Sequence, residues 1–164
     1  MTLSDFANGY NYYGLHLTDE GWVFREWAPN ATDIYLVGDF NGWKELPSYK
    51  CKRIDGTGNW ELRLPVHAME HGQYYKMRVH WNGGEGERIP AWAQRVVQDP
   101  QTGIFSAQVW SPNAPYVWKI NSFNPQTSPL LIYECHIGMG QDAEKVGTYN
   151  EFREKVLPRI VKDG

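Results

Sequence analysis

Cysteine is scarce in this chain. Its 164 residues include two, Cys51 and Cys135. Two are too few for a disulfide-stapled scaffold, though they allow a single bridge, and with no Cys-x-x-Cys arrangement redox chemistry has little support. Two free, buried thiols are the expected state. Long apolar runs are also lacking, so no membrane span is expected. The first ten residues have neither a basic start nor an apolar stretch. They do not read as a signal peptide, and a cytoplasmic location is expected. The Asn30-Ala31-Thr32 sequon is then read as a chance match. Charge of one sign is not in excess: 16 Lys+Arg stand against 19 Asp+Glu, for a formal net charge of −3. Neither nucleic acid nor an anionic membrane surface is therefore an expected partner.

What is present is aromatic. Eight Trp and ten Tyr are more than a core of this size needs. Their flat apolar faces and polar edges suit a ligand that carries both hydroxyls and apolar ring faces, as a sugar does. The 41% hydrophobic and 21% charged composition fits a globular chain. Alternation of period two recurs over short runs separated by Gly, Pro, Asn and Asp. Gly21–Ala28 sets Trp22, Phe24 and Glu26 against Val23, Arg25 and Trp27. Thr32–Phe40 sets Ile34 and Leu36 against Tyr35 and Val37, and Asn59–Leu64 sets Trp60, Leu62 and Leu64 against Glu61 and Arg63. Gln73–Trp81 groups Tyr75, Met77, Val79 and Trp81 opposite Tyr74, Lys76, Arg78 and His80. Gly103–Trp110 groups Phe105, Ala107 and Val109 opposite Ser106 and Gln108. This spacing predicts an all-β, immunoglobulin-like sandwich over 21–110, after an N-terminal segment 1–20.

Residues 111–128 are rich in Pro and Asn and read as a linker. Residues 129–137 read as a strand buried on both faces, with Leu130–Tyr133 continuously apolar. Residues 147–164 read as a helix: Thr148 and Glu151 form a capping box, and Phe152, Val156 and Ile160 form a stripe. Pro158 is expected to kink or interrupt it. The region 129–164 is thus the opening of a parallel α/β unit. Without a returning strand such a unit cannot bury its apolar face by itself, and leaving Leu131, Phe152, Val156 and Ile160 in water is costly. The tail is therefore expected to pack onto the sandwich, to disorder or to pair with another copy of itself, and the chain is expected to be the front end of a larger protein.

Candidate chemistry is sparse. His67-Ala68-Met69-Glu70-His71 has the spacing of a zinc-protease motif, but Pro65 and Gly72 bracket it and deny it the helix that the geometry needs. It reads as a polar loop, and no metal or cofactor is expected. Gly83-Gly84-Glu85-Gly86 reads as a flexible turn, with an acid where a phosphate loop needs a cation. No segment suggests a catalytic pair of carboxylates. Asp39-Phe40-Asn41-Gly42-Trp43 reads as a turn that leaves the Trp43 indole free to stack on a glucose ring, and Lys76 is placed to donate to hydroxyls. Trp81 and Trp92 flank the Gly-rich loop as a second candidate plate. Trp81 shares its strand face with Met77 and Val79, which also fits a core position.

At these residues the chain resembles a known family. Phe24-Arg25-Glu26-Trp27-Ala28-Pro29 and Val37-Gly38-Asp39-Phe40-Asn41-Gly42-Trp43 resemble the starch- and glycogen-binding module (family 48) that precedes the barrel of 1,4-α-glucan branching enzymes. Ile132–Met139, Val146–Tyr149 and Phe152–Ile160 resemble the first strand and helix of the (β/α)8 barrel in those enzymes. The resemblance implies a parent enzyme of the α-amylase superfamily, active in glycogen biosynthesis. Such an enzyme cleaves an α-1,4 bond, holds the cut chain on an aspartate and transfers it to a 6-hydroxyl with retention. The family's catalytic acids come from later barrel strands, so none is expected within residues 1–164 and these residues alone are expected to be inactive. The implied partners are an α-glucan and a catalytic barrel in cis. The implied sugar-binding residues are Trp43 and Lys76, with Trp81 a weaker match. A stand-alone glycogen- or starch-targeting module and the N-terminal module of a debranching hydrolase are the alternatives.

Overall fold

The computed structural model describes residues 7–114, 116–120, 122–124, 129 and 132–163. Two compact units divide the chain, Met1–Val117 and Trp118–Gly164. The first is an immunoglobulin-like β-sandwich. Its strands are β1 (Gly14–Thr18), β2 (Gly21–Trp27), β3 (Ala31–Gly38), β4 (Lys52–Arg53), β5 (Asn59–Leu64), β6 (Tyr74–Trp81), β7 (Gly84–Arg88), β8 (Val96–Gln98) and β9 (Phe105–Gln108). One antiparallel sheet has the order β1-β2-β5-β4 and the other the order β3-β6-β9-β8, with β7 also paired to β6.

The alternation seen in the sequence accounts for the core. Trp22, Phe24, Trp60, Leu62 and Leu64 from the first sheet meet Ile34, Leu36, Tyr75, Met77 and Ala107 from the second in one buried cluster. Odd and even positions of a strand face opposite ways, so Arg25 and Glu61 pair in register on the outer face, 2.7 Å apart. Phe105, expected on the buried face with Ala107, is exposed at the strand end.

Glu26 breaks the polarity rule. It is buried, and its carboxylate accepts hydrogen bonds from the backbone amides of Trp27 (3.0 Å) and Ala91 (2.9 Å). Burial pushes its carboxyl above the ordinary value, and the two amide donors pull the other way. The carboxylate thereby satisfies the amides of Trp27, at the end of β2, and Ala91, in the loop after β7.

Four strands, β1, β4, β7 and β8, lie outside the alternating runs of the sequence. β1 falls within 1–20 and pairs along its length with β2. β7 includes Gly84–Gly86, so the supposed flexible turn is shorter: Asn82-Gly83 turns, and Gly84 already pairs with Trp81. Glycine and glutamate give β7 no apolar alternation, and pairing with β6 makes it a strand.

The second unit departs further from expectation. Leu130 and Leu131 lie outside the described residues. Residues 132–136 are irregular rather than a buried strand, with Ile132 81% and Tyr133 69% exposed. A buried strand needs hydrogen-bonded neighbours, and no described strand pairs with this segment. Cys135 is exposed while Cys51 is buried, so only one of the two thiols is sequestered. Burial raises the Cys51 thiol well above its ordinary value.

The expected helix, α1, runs over 149–163. Thr148 Oγ1 accepts from the Glu151 amide at 3.2 Å, and Glu151 Oε2 accepts from the Thr148 amide at 3.0 Å, which is the capping box. Phe152 and Val156 are buried and Ile160 is half-buried, so the stripe does not stay solvated. The Phe152 ring packs over Gly140. The interruption at Pro158 takes the form of a π turn. The Leu157 amide bonds to the Phe152 carbonyl, five residues back, just before the proline that has no amide to offer.

Candidate functional site

β6 changes partner partway along one edge. Tyr74 and Tyr75 pair with β9, whereas Met77 through Trp81 pair with β7. Lys76 sits where the two partners diverge. The divergence opens a groove of about 280 Å³, lined by Tyr74 and Lys76 of β6, Glu87 of β7, Val97 of β8 and Ser106 of β9. Trp43 and the β8–β9 turn residues Asp99, Thr102 and Ile104 complete its walls.

Trp43 reaches the groove from the loop after β3. Gly38 lets that loop leave β3 tightly, since a Cβ there would collide with the Tyr74 carbonyl and the Phe40 ring. Asn41 then braces the turn. Its Oδ1 accepts from the Gly38 amide at 3.0 Å and its Nδ2 donates to the Leu36 carbonyl at 2.9 Å. Phe40 stacks on Tyr49 at 5.0 Å, which anchors the inner side of the loop. Gly42 takes a left-handed conformation (φ 63°), and so does Trp43 (φ 60°). Trp43 is the only non-glycine residue with positive φ among the described residues. The indole remains 37% exposed.

Lys76 is held rather than free. Its Nζ lies 3.1 Å from Glu87 Oε2, and its side chain is 13% exposed. Glu87 also accepts from Arg78 at 3.2 Å. On the opposite wall, Asp99 Oδ1 accepts from the amides of Thr102 (2.7 Å) and Gln101 (2.9 Å) and from the Thr102 hydroxyl (3.0 Å). These donors hold its carboxyl below the ordinary range. The groove therefore offers two exposed aromatic residues, Trp43 and Tyr74, aliphatic Val97 and Ile104, and a ring of charged and hydroxyl groups. An apolar face with convergent polar groups is the usual chemistry of a small-ligand site.

Of the three residues expected to bind sugar, Trp43 and Lys76 line this groove and Trp81 does not. Trp81 lies at the far end of β6, where it packs beside Gly84 and Gly86 with Arg88 over its ring at 5.4 Å. Trp92 stacks on Tyr13 at 6.3 Å and packs over Gly9 and Gly14. Trp22 and Trp60 account for part of the aromatic excess as core. The sequence reading missed Glu87 and the β8–β9 residues. For the latter the signal was Asp99-Pro100-Gln101-Thr102-Gly103, a turn signature between two short apolar runs.

His67 and His71 sit at and just after a 3₁₀ turn, Val66–Ala68, and His71 Nδ1 accepts from the Ser111 amide at 3.1 Å. Among the described residues one group has metal-ligand spacing: Glu45, His80 and Glu85. Arg78 already lies 3.8 Å from Glu45 and 3.5 Å from Glu85, so a protein cation neutralises these carboxylates.

Residues 12–100 match the family described as carbohydrate-binding module 48 (isoamylase N-terminal domain). The chain is 37% identical over 99% of its length to a 1,4-alpha-glucan-branching enzyme of Dictyostelium discoideum, and 38% identical over 99% to one of Yarrowia lipolytica. A third, from Rhizophagus irregularis, is 39% identical over 94%. The chain spans about a quarter of the length of these curated relatives. Among solved structures, the maltotriose complex of PulA from Klebsiella pneumoniae aligns with 60% of this chain and 11% of its own, at 24% identity and a TM-score of 0.47. The family match runs through the loop that carries Trp43 and the strand that carries Lys76, and the chain belongs to the carbohydrate-binding module 48 family.

Proposed function

We propose that the groove beside Trp43 binds an α-glucan chain, and that the chain serves as the glucan-binding portion of a 1,4-α-glucan branching enzyme. In this reading the indole face stacks on a glucose ring, while Lys76 and the groove's other polar groups meet the sugar hydroxyls. Glycogen, starch and maltooligosaccharides are the ligands of that chemistry. A catalytic barrel in cis carries out transfer to a 6-hydroxyl, and residues 111–128 link the module to residues 129–164, which contribute the barrel's first elements. A cytoplasmic setting belongs to the same proposal. No helix among the described residues is long and apolar enough to cross a membrane.

The observation that carries the reading is the exposed Trp43 plate set over a groove floored by Lys76. Calorimetric titration of the 164-residue chain with maltoheptaose tests it. Trp43→Ala is expected to weaken binding about tenfold or more, as loss of an aromatic anchor does. Lys76→Ala is expected to weaken it less, because Glu87 already engages the ammonium. Equal affinity in the parent and Trp43→Ala overturns the reading. Incubated with amylose, the chain alone is expected to leave iodine absorbance unchanged, and a fall would place catalytic groups within it.

A further inference from the structure

We propose that Asp39 is a positioning residue of the groove: its carboxylate clamps the Trp43 indole so that the ring face, not the indole N–H, is offered to a saccharide. The inference rests on the saccharide reading above and extends it to a residue that lines no part of the groove.

Both oxygens of Asp39 are engaged. Oδ1 accepts the Trp43 indole N–H at 3.0 Å, and Oδ2 accepts the Tyr74 backbone N–H at 2.7 Å. The carboxylate therefore ties the ring of the loop to the first residue of β6, the strand that forms the groove floor. The Trp43 backbone amide bonds to the Gly38 carbonyl at 2.9 Å. Trp43 thus has its main chain and the polar edge of its ring fixed independently. Its left-handed backbone is unfavourable for a bulky side chain, and such a conformation persists only where surrounding bonds over-determine it. Gly38, Asn41 and Asp39 supply those bonds.

The chemical consequence concerns selectivity. With its N–H engaged, the indole cannot donate to a sugar hydroxyl and recognises only the apolar face of the ring. Direct reading of hydroxyls falls to the groove's remaining polar side chains, Tyr74, Lys76, Glu87, Asp99, Thr102 and Ser106. A ring fixed before the ligand arrives also loses less rotational freedom on binding.

The test is a double-mutant cycle on the full 164-residue chain, using Asp39→Ala, Trp43→Phe and the pair, with maltoheptaose as probe. Trp43→Phe keeps an aromatic face but removes the N–H. It also identifies the Trp43 signal as the one lost from the eight indole N–H resonances. Asp39→Ala is expected to shift that resonance upfield and to lower affinity roughly two- to tenfold, the range for one lost hydrogen bond. In the Trp43→Phe background the same substitution is expected to change affinity little further, because Asp39 acts through the indole. An unmoved resonance in folded Asp39→Ala overturns the proposal. So does an equal loss of affinity in both backgrounds, which would assign the effect to the Tyr74 amide. If Asp39→Ala does not fold, Asp39→Leu serves, since it fills similar space and offers no acceptor to the indole N–H. If the parent fails to bind maltoheptaose, the saccharide reading falls, and the indole resonance still decides whether Asp39 holds the ring.

Discussion

The two units of this chain turn apolar sequence into burial with different success. In the sandwich, every inward position of β5 is buried, and Phe24, Ile34 and Leu36 have no exposed surface. In residues 132–163, only Phe152 and Val156 reach the buried class among the described residues, while Val146 and Val161 stay exposed. Local pattern is equally clear in both. Alternation of period two produces a core only because a second sheet with a matching face is supplied by the same residues. The helical stripe of α1 buries Phe152 and Val156 and half-buries Ile160, with Phe152 over Gly140, and no sheet or second long helix is described in its unit to extend that burial. Periodicity shows which face wants a partner, and burial depends on the partner being present.

The largest expected effect comes from the same substitution made in both units. Phe24→Ala should cost about 3–5 kcal/mol, the usual range for emptying a packed aromatic site. Phe152→Ala should cost clearly less, because few buried neighbours surround the cavity it leaves. Denaturant unfolding followed by near-UV and far-UV dichroism measures both, and equal costs would erase the contrast.

Next is thiol accessibility. Cys135 should react with a disulfide reagent in the native state, and Cys51 at least about a hundredfold more slowly, since it must wait for opening of the sandwich. One fast and one slow phase is the expected trace, and two fast phases would show that the core around Cys51 is loose.

A smaller effect concerns the helix. Thr148→Ala removes the cap and should cost α1 about 1 kcal/mol, read as lost ellipticity at acid-free pH with the sandwich signal unchanged.

The smallest effect is in the pH response, where the two units should differ in sign. Burial raises the Glu26 carboxyl, so the folded sandwich favours its neutral form. Its contribution is largest in acid and is lost as pH rises through that raised value. Glu151 is the opposite case. The Lys145 ammonium first, then the Thr148 donors, hold its carboxyl at about 2, against an ordinary 4.5. Its contribution is present above 4.5 and is lost as pH falls toward 2. Glu26→Gln should flatten the alkaline-side loss and Glu151→Gln the acid-side loss. Stability measured across pH for the two variants checks the pairing, and slopes of one sign would break it.

Much of the architecture was legible in the residues, for identifiable reasons. β5 is bounded in the structure where its alternation begins and ends, because Trp60, Leu62 and Leu64 sit between charged neighbours. β7 was illegible because Gly84-Glu85-Gly86-Glu87-Arg88 carries no apolar signal and becomes a strand through β6. The segment at 132–136 misled because the apolar run Leu130–Tyr133 leading into it states a need for burial on two faces without supplying either. At the groove, Trp43 and Lys76 could be picked by residue type. Asp39 could not, because its role depends on an indole edge and a backbone amide 35 residues away meeting at one carboxylate.

The fork in β6 has a consequence for how such a groove can diversify. A strand that is shared between two partners along one edge leaves each partner's hairpin free to lengthen or shorten by itself. Residues added between Gln98 and Phe105 would reshape one bank of the cleft, whereas residues added at Asn82-Gly83 would extend the far end of β6, away from it. They would leave Tyr75, Met77 and the interior they seal untouched. The molecule thus separates the part that must stay constant from the part that can be retailored for different ligands.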